Sequence, residues 1–218
     1  MPINPQLLFV AGPNGAGKST FSKKFSEPGA VIFDVDKVIA RIEAQSPDMP
    51  KKRIYQEATN EFIKQATDAV KRKQHFTLET NFRDESLLDI VAEFKRHSYT
   101  TNLVYLTLKN IKESVSRVNE RVKDGGHYVD HKNIEQNYEL GLQYLERFAD
   151  HFDNLEIIDA SGSYFQLIPV LSIRQQKLDY LSTDLPFEVE ETIKRIASRY
   201  NSRGLDDEER ERPRGPRR

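Results

Sequence analysis

The stretch Gly12-Pro13-Asn14-Gly15-Ala16-Gly17-Lys18-Ser19 fits the spacing G-x-x-x-x-G-K-[ST], and Thr20 follows it. The apolar run Leu7–Ala11 precedes the loop and the amphipathic stretch Thr20–Phe25 succeeds it, so the order is strand, glycine-rich turn, helix. Glycines at these positions let consecutive backbone N–H groups curl around an anion without Cβ clashes. Lys18 is then placed to reach the β/γ-phosphates of a nucleotide, and Ser19 to ligate Mg²⁺ where the helix begins. Gly12 to Thr20 are therefore the expected ATP-binding set, with ATP and Mg²⁺ as cofactors. Such a loop belongs at the carboxyl end of a parallel strand, which restricts the fold to an α/β sheet with helices on both faces.

The rest of the chain agrees. Short β-branched runs at Val31–Phe33, Phe76–Glu79, Leu103–Leu108 and Leu155–Ile158 read as further strands. Helices are predicted over Ile54–Lys73, from the four-residue spacing of Ile54, Ala58, Phe62, Ala66 and Val70, and over Asp84–Arg96. Ile134, Tyr138, Leu142, Leu145 and Phe148 mark another. Leu167–Arg174 and Lys177–Leu181 read as a hairpin, although Gln175-Gln176 lacks the Gly or Asn of a tight turn. Glu188–Tyr200 is a predicted helix. The expected organisation is a P-loop domain over residues 1–200, with a helical lid near 110–145. A charged tail, 201–218, is expected to be disordered from Arg203 on, because it buries too little to offset the entropy of ordering.

Composition narrows the function classes. Lys and Arg number 33 against 34 Asp and Glu, a net charge of −1 that argues against a dedicated nucleic-acid binder. No run approaches the ~18 apolar residues of a membrane span. The absence of cysteine removes disulfides and thiolate metal sites and fits a reducing, cytoplasmic setting. An ABC-type ATPase would need an LSGGQ-like signature and a strand ending in Asp-Glu, and neither is present. Asp159-Ala160-Ser161-Gly162 has the D-x-x-G spelling of a GTPase switch, but no N-K-x-D guanine reader follows it. His127 and His131, four apart, lack the context of a metal motif.

Phosphoryl transfer needs a cradle, a metal, a carboxylate to orient and deprotonate the acceptor, and cations for the transferred charge. The second strand ends in Asp34-Val35-Asp36, and the third in Glu79-Thr80-Asn81-Phe82-Arg83. Arg117 and Arg121 share a helical face, followed by Gly125-Gly126-His127. Either aspartate could instead cap the helix starting near Lys37.

Taken in order, the phosphate loop, Val31-Ile32-Phe33-Asp34-Val35-Asp36, Phe76-Thr77-Leu78-Glu79-Thr80 and Ser114-Val115-Ser116-Arg117 through Gly125-Gly126-His127-Tyr128-Val129 resemble the zeta-toxin family of P-loop kinases. The resemblance covers roughly residues 5–197. It implies ATP-dependent phosphorylation of a hydroxyl on a small molecule, in zeta toxins proper a UDP-activated amino sugar, and an antitoxin as protein partner. It also implies roles: Asp36 as general base, Glu79 and Thr80, with Arg83 nearby, at the acceptor, and Arg117 as a lid arginine, with Arg121 a substitute second cation. The adjacent arginines usual after the Gly-Gly-His segment are here Glu135-Gln136-Asn137. A nucleotide-dependent regulatory or interaction module and a nucleic-acid end kinase are the competing readings.

Overall fold

The computed structural model describes residues 4–126, 128–162 and 166–211; His127 and the tail 212–218, both part of the expectations above, lie outside them. The order of elements is β1 (Gln6–Ala11), α1 (Lys18–Phe25), β2 (Val31–Asp34), α2 (Val35–Gln45), α3 (Lys51–Arg72), β3 (Phe76–Thr80), α4 (Leu87–Arg96) and β4 (Thr100–Thr107). There follow α5 (Ile111–Lys123), α6 (His131–Phe148), β5 (Asn154–Asp159), β6 (Ile168–Arg174), β7 (Lys177–Leu181) and α7 (Glu190–Glu211).

The strands form one sheet in the order β2-β3-β1-β4-β5-β6-β7. The first five are parallel and the last two antiparallel. After β1 the chain builds β2 and β3 on one side and then crosses to β4 on the other. That reversal opens a crevice at the carboxyl end of β1, where the phosphate loop lies.

Alternation along the strands sends Leu7, Phe9, Leu78, Leu103, Tyr105 and Ile157 to one face, against Ile54 of α3, Phe94 of α4, Leu145 of α6 and Ile193 of α7. Leu8, Val10, Val104 and Leu106 point the other way, toward Phe21 of α1 and Tyr138 of α6. Helix α6 thus belongs to both cores, and it anchors the structures above the crevice.

One expected boundary is corrected. Helix α7 runs from Glu190 to Glu211, past the expected end at Tyr200. The lid region holds two helices, α5 and α6. Among the described residues, no helix is long and apolar enough to cross a membrane.

Candidate active site

The phosphate loop turns sharply because its glycines permit it. Gly12 has φ +139°, and a Cβ there would stand 2.3 Å from the carbonyl oxygen of Leu106. Only glycine lets β1 pass this close to β4 as the loop begins. Gly15, at φ +80°, leaves room for the Arg117 stem, whose Cβ would be 2.9 Å from an added methyl group.

Lys18 opens α1, and its ammonium donates to the carbonyls of Gly12 at 2.8 Å and Pro13 at 3.0 Å and to Oδ1 of Asn81 at 2.8 Å. Burial pulls its pKa down to about 8, against the opposing pull of Asp36, Glu79 and Asp34; Arg121 adds to the lowering. Of the nearby carboxylates, Asp36 is the one whose charge acts most strongly on Lys18.

Ser19 sits between two carboxylates. Its Oγ lies 2.6 Å from Oε2 of Glu79 and 3.0 Å from Oδ2 of Asp34. The second oxygen of Glu79 accepts from Ser22 Oγ at 2.6 Å, one turn further along α1. Burial raises the Glu79 pKa, the nearby Asp34 charge adds to this, and the two serine hydrogen bonds oppose it. Burial also works to raise Asp34, but hydrogen bonds from the Lys37 side chain and backbone, the Lys37 charge and Ser19 outweigh it and hold that group below its usual range.

Asp34 is the N-cap of α2, accepting from Lys37 N at 3.1 Å and pairing with Lys37 Nζ at 3.0 Å. The capping alternative therefore holds for Asp34. Asp36, in the first turn of α2, is exposed and carries no such cap. The expected strand end Asp34-Val35-Asp36 is corrected here: β2 stops at Asp34, and Val35 and Asp36 already belong to α2.

Thr80 Oγ1 accepts from Phe82 N at 3.0 Å and so shapes its own loop. Phe82 has φ +57°, an uncommon conformation for an aromatic residue, and its ring is buried beside Phe9 and Phe152. That anchor fixes the loop from which Asn81 reaches Lys18. Arg83 is exposed and has no hydrogen bond or ion pair to another described residue.

Arg117, on α5, donates to the carbonyls of Gly15 at 3.4 Å and Gly162 at 3.0 Å and pairs with Glu113 at 2.7 Å. It ties the phosphate loop to the turn after β5, the D-x-x-G stretch. Arg121 lies one turn on and is exposed. The Gly125-Gly126 turn folds back against its stem, where a Cβ on Gly126 would meet Arg121 Cγ at 2.5 Å. The residues at the place of the usual arginines divide: His131 pairs with Glu135, Gln136 is exposed, and Asn137 is buried with Nδ2 donating to Asn14 Oδ1 at 2.5 Å.

Ser22, Asn81 and Asn137 were not among the candidate site residues read from sequence, and the link from Asn14 to α6 was not foreseen. Ser22 was within reach, since it follows Ser19 by three on a helix. Asn137 was not, because only the packing of α6 on the loop brings it there.

The family model for Zeta toxin matches residues 2–166. A curated relative, an uncharacterized protein of Haemophilus influenzae, is 24% identical over 133 residues, 61% of this chain and 92% of the relative. Among solved structures, a chain of the PezAT chromosomal toxin–antitoxin system of Streptococcus pneumoniae aligns with TM-score 0.60 and 14% identity, over 91% of this chain and 87% of that one. A chain of the AvrRxo1-ORF1:-ORF2 structure with ATP gives TM-score 0.62 and 14% identity, over 88% of this chain and 64% of that one. A chain of the Pnkp1/Rnl/Hen1 RNA repair complex gives TM-score 0.55 and 21% identity, over 68% of this chain and 47% of that one. At these identities the structural likeness speaks for the fold, which is that of the P-loop kinases. The family rests on the match across most of the chain, which includes the Lys18 loop, both carboxylate-bearing strand ends and the arginine helix: this chain belongs to the Zeta toxin family.

Proposed function

We propose that the protein is an ATP-dependent phosphotransferase that moves the γ-phosphoryl group of ATP to a hydroxyl of a small molecule, a nucleotide sugar or a related metabolite. The observation that carries this reading is the convergence of Lys18, Ser19, Asp34 and Glu79 at the carboxyl ends of β1, β2 and β3.

The residues fit a divalent cation. A hydroxyl has one proton, yet Ser19 Oγ faces a carboxylate oxygen on each side. Three hard oxygen donors around one point suit Mg²⁺. Ser19, Glu79 and Asp34 would hold it, directly or through water, and the metal would supply charge neutralisation at the β- and γ-phosphates. This gives Glu79 a role at the metal rather than at the acceptor.

The chain's own groups do the rest. Lys18 exchanges its carbonyl and Asn81 partners for phosphate oxygens. Asp36, exposed at the rim and without a capping duty, takes the acceptor proton as the hydroxyl oxygen bonds to the γ-phosphorus and the bond to the β–γ bridging oxygen breaks. Arg117 and Arg121 stabilise the charge spread over the transferring group. An antitoxin partner is part of the same proposal.

The test is transfer of ³²P from labelled γ-ATP to a metabolite extract and to purified nucleotide sugars, with Lys18→Ala as control. Acceptor-dependent labelling that vanishes in the control supports the reading. ATP binding without turnover would leave a nucleotide-dependent interaction module. Labelling of polynucleotide ends, steeply salt-dependent, would replace the small-molecule acceptor.

A further inference from the structure

Lys18 is held between two loops, and one helix seats both. From the phosphate loop it takes the Gly12 and Pro13 carbonyls, and from the turn after β3 it takes Oδ1 of Asn81. Asn14, next to Pro13, is 4% exposed, and its side chain accepts from Asn137 of α6 at 2.5 Å while its carbonyl accepts from Ser114 Oγ at 2.5 Å. One turn along α6 from Asn137 stands Gly141. A Cβ there would lie 3.0 Å from the carbonyl oxygen of Asn81 and 2.7 Å from the Tyr105 hydroxyl. The absence of that methyl group lets α6 approach the Asn81 turn.

Resting on the nucleotide-binding reading above, we propose that Asn137 and Gly141 are positioning residues for Lys18. They fix the spacing between the two loops and so the place of the ammonium that meets the β/γ-phosphates.

Helix α6 is a rigid reference for this purpose. Leu145 is buried in one core and Tyr138 in the other, and the Tyr138 hydroxyl donates to the Leu108 carbonyl at 3.0 Å. Packing alone does not account for Asn137. It is 3% exposed, and its Oδ1 has no hydrogen-bond partner among the described residues, so an apolar side chain would avoid that desolvation cost. What the amide supplies is, among the described residues, the one side-chain hydrogen bond from α6 to Asn14. A buried link of this kind transmits small shifts, since close-packed interiors do not absorb them.

The test measures Mg-ATP affinity by calorimetry in wild type, Asn137→Leu, Lys18→Ala and the double variant. Asn137→Leu should weaken binding roughly tenfold, the scale of one buried hydrogen bond, and should weaken it no further when Lys18 is already Ala. Wild-type affinity in Asn137→Leu, or an equal loss in both backgrounds, overturns the proposal. Wild-type affinity in Lys18→Ala alone would overturn the nucleotide reading beneath it. Should Asn137→Leu fail to fold, Asn14→Ala with Asn137→Leu leaves no unpaired amide and carries the same readout. Gly141→Ala should give the same coupling to Lys18 from the other loop.

Discussion

The hydroxyl of Ser19 lies 2.6 Å from Glu79, while Asp34 stands 3.0 Å away on its other side. Without a cation, this arrangement gathers negative charge in a half-buried place. Glu79→Gln removes one charge at nearly constant shape. The nucleotide-free variant should therefore melt higher than wild type at neutral pH, by about 2–4 °C for each roughly 1 kcal/mol of relief. The sign follows from linkage. Glu79 has a raised pKa in the folded protein, so the native state binds its proton more tightly than the unfolded chain. Wild type should lose stability from this group as pH rises from the ordinary carboxylate value through the raised one, and the variant should not. Asp34, held low, contributes in the opposite sense, with stability lost as pH falls. The same Glu79→Gln change should reduce the stabilisation given by Mg-ATP. Calorimetry with and without Mg²⁺ reads both effects, and a lower melting point in the metal-free variant would contradict the crowded-charge account.

Lys18 should make nucleotide affinity depend on pH. With its pKa near 8, the ammonium is lost over a range where an ordinary lysine stays charged. Affinity for Mg-ATP should fall above pH ~8, by up to about tenfold per pH unit. The nucleotide-free protein should show the reverse trend. Between about 8 and the unfolded value of 10.5 the unfolded chain binds more protons, so this group's contribution to stability rises with pH. Lys18→Met should abolish both dependences in titrations across pH 7 to about 10.

Asp36 and Asp34 should separate kinetically. Asp36→Asn leaves the α2 cap intact and removes the proposed proton acceptor, so kcat should fall roughly 10²–10⁴-fold with ATP affinity nearly unchanged. Asp34→Asn keeps a competent capping side chain but takes a charge from beside Ser19, so it should act chiefly on Mg-ATP binding. Steady-state kinetics on both variants, showing the two effects reversed, would exchange the roles.

Arg117 should be sensitive to shape as well as charge. Its guanidinium reaches two carbonyls and Glu113 at once. Arg117→Ala should lower kcat by roughly 10²–10³-fold, and Arg117→Lys should recover only part, because a point charge cannot span the same partners. Full recovery by lysine would mean that charge alone matters.

What the sequence made legible was whatever rests on local pattern. The β1–loop–α1 unit, the strand ends carrying Asp34 and Glu79, and the Arg117 helix all follow from periodicity and short motifs. The site's inner contacts did not, because they join residues far apart. Asn14 and Asn137 are 123 positions apart, and Ser114 is 100 from Asn14. Sequence spacing also could not say which aspartate caps α2, since both stand near its start. The end of α7 was missed for another reason: the run after Tyr200 is charged and poor in apolar residues, so no apolar period marks it as helix.

The β6–β7 turn shows tertiary context overruling local chemistry, and it yields a stability prediction. Gln175 and Gln176 both have positive φ, 49° and 63°, in a two-residue hairpin where Asn-Gly would be usual. Each left-handed non-glycine residue costs roughly 1–2 kcal/mol. The turn is held from outside: Gln175 N donates to Asn154 Oδ1 at 2.9 Å, Gln176 N donates to the Asp153 carbonyl at 3.2 Å, and the Gln176 amide donates to the Phe152 carbonyl. The Gln176 side chain is therefore committed, whereas the bond made by Gln175 uses only its backbone. Gln175→Asn keeps that bond and suits the left-handed conformation better, so it should stabilise the protein by roughly 0.5–1 kcal/mol. Gln176→Gly would relieve the same strain but lose the amide bond to Phe152, and should be neutral or destabilising. Thermal melts of the two variants should thus move apart, with Gln175→Asn the higher, and a higher melt for Gln176→Gly would show that the side-chain bond to Phe152 contributes little.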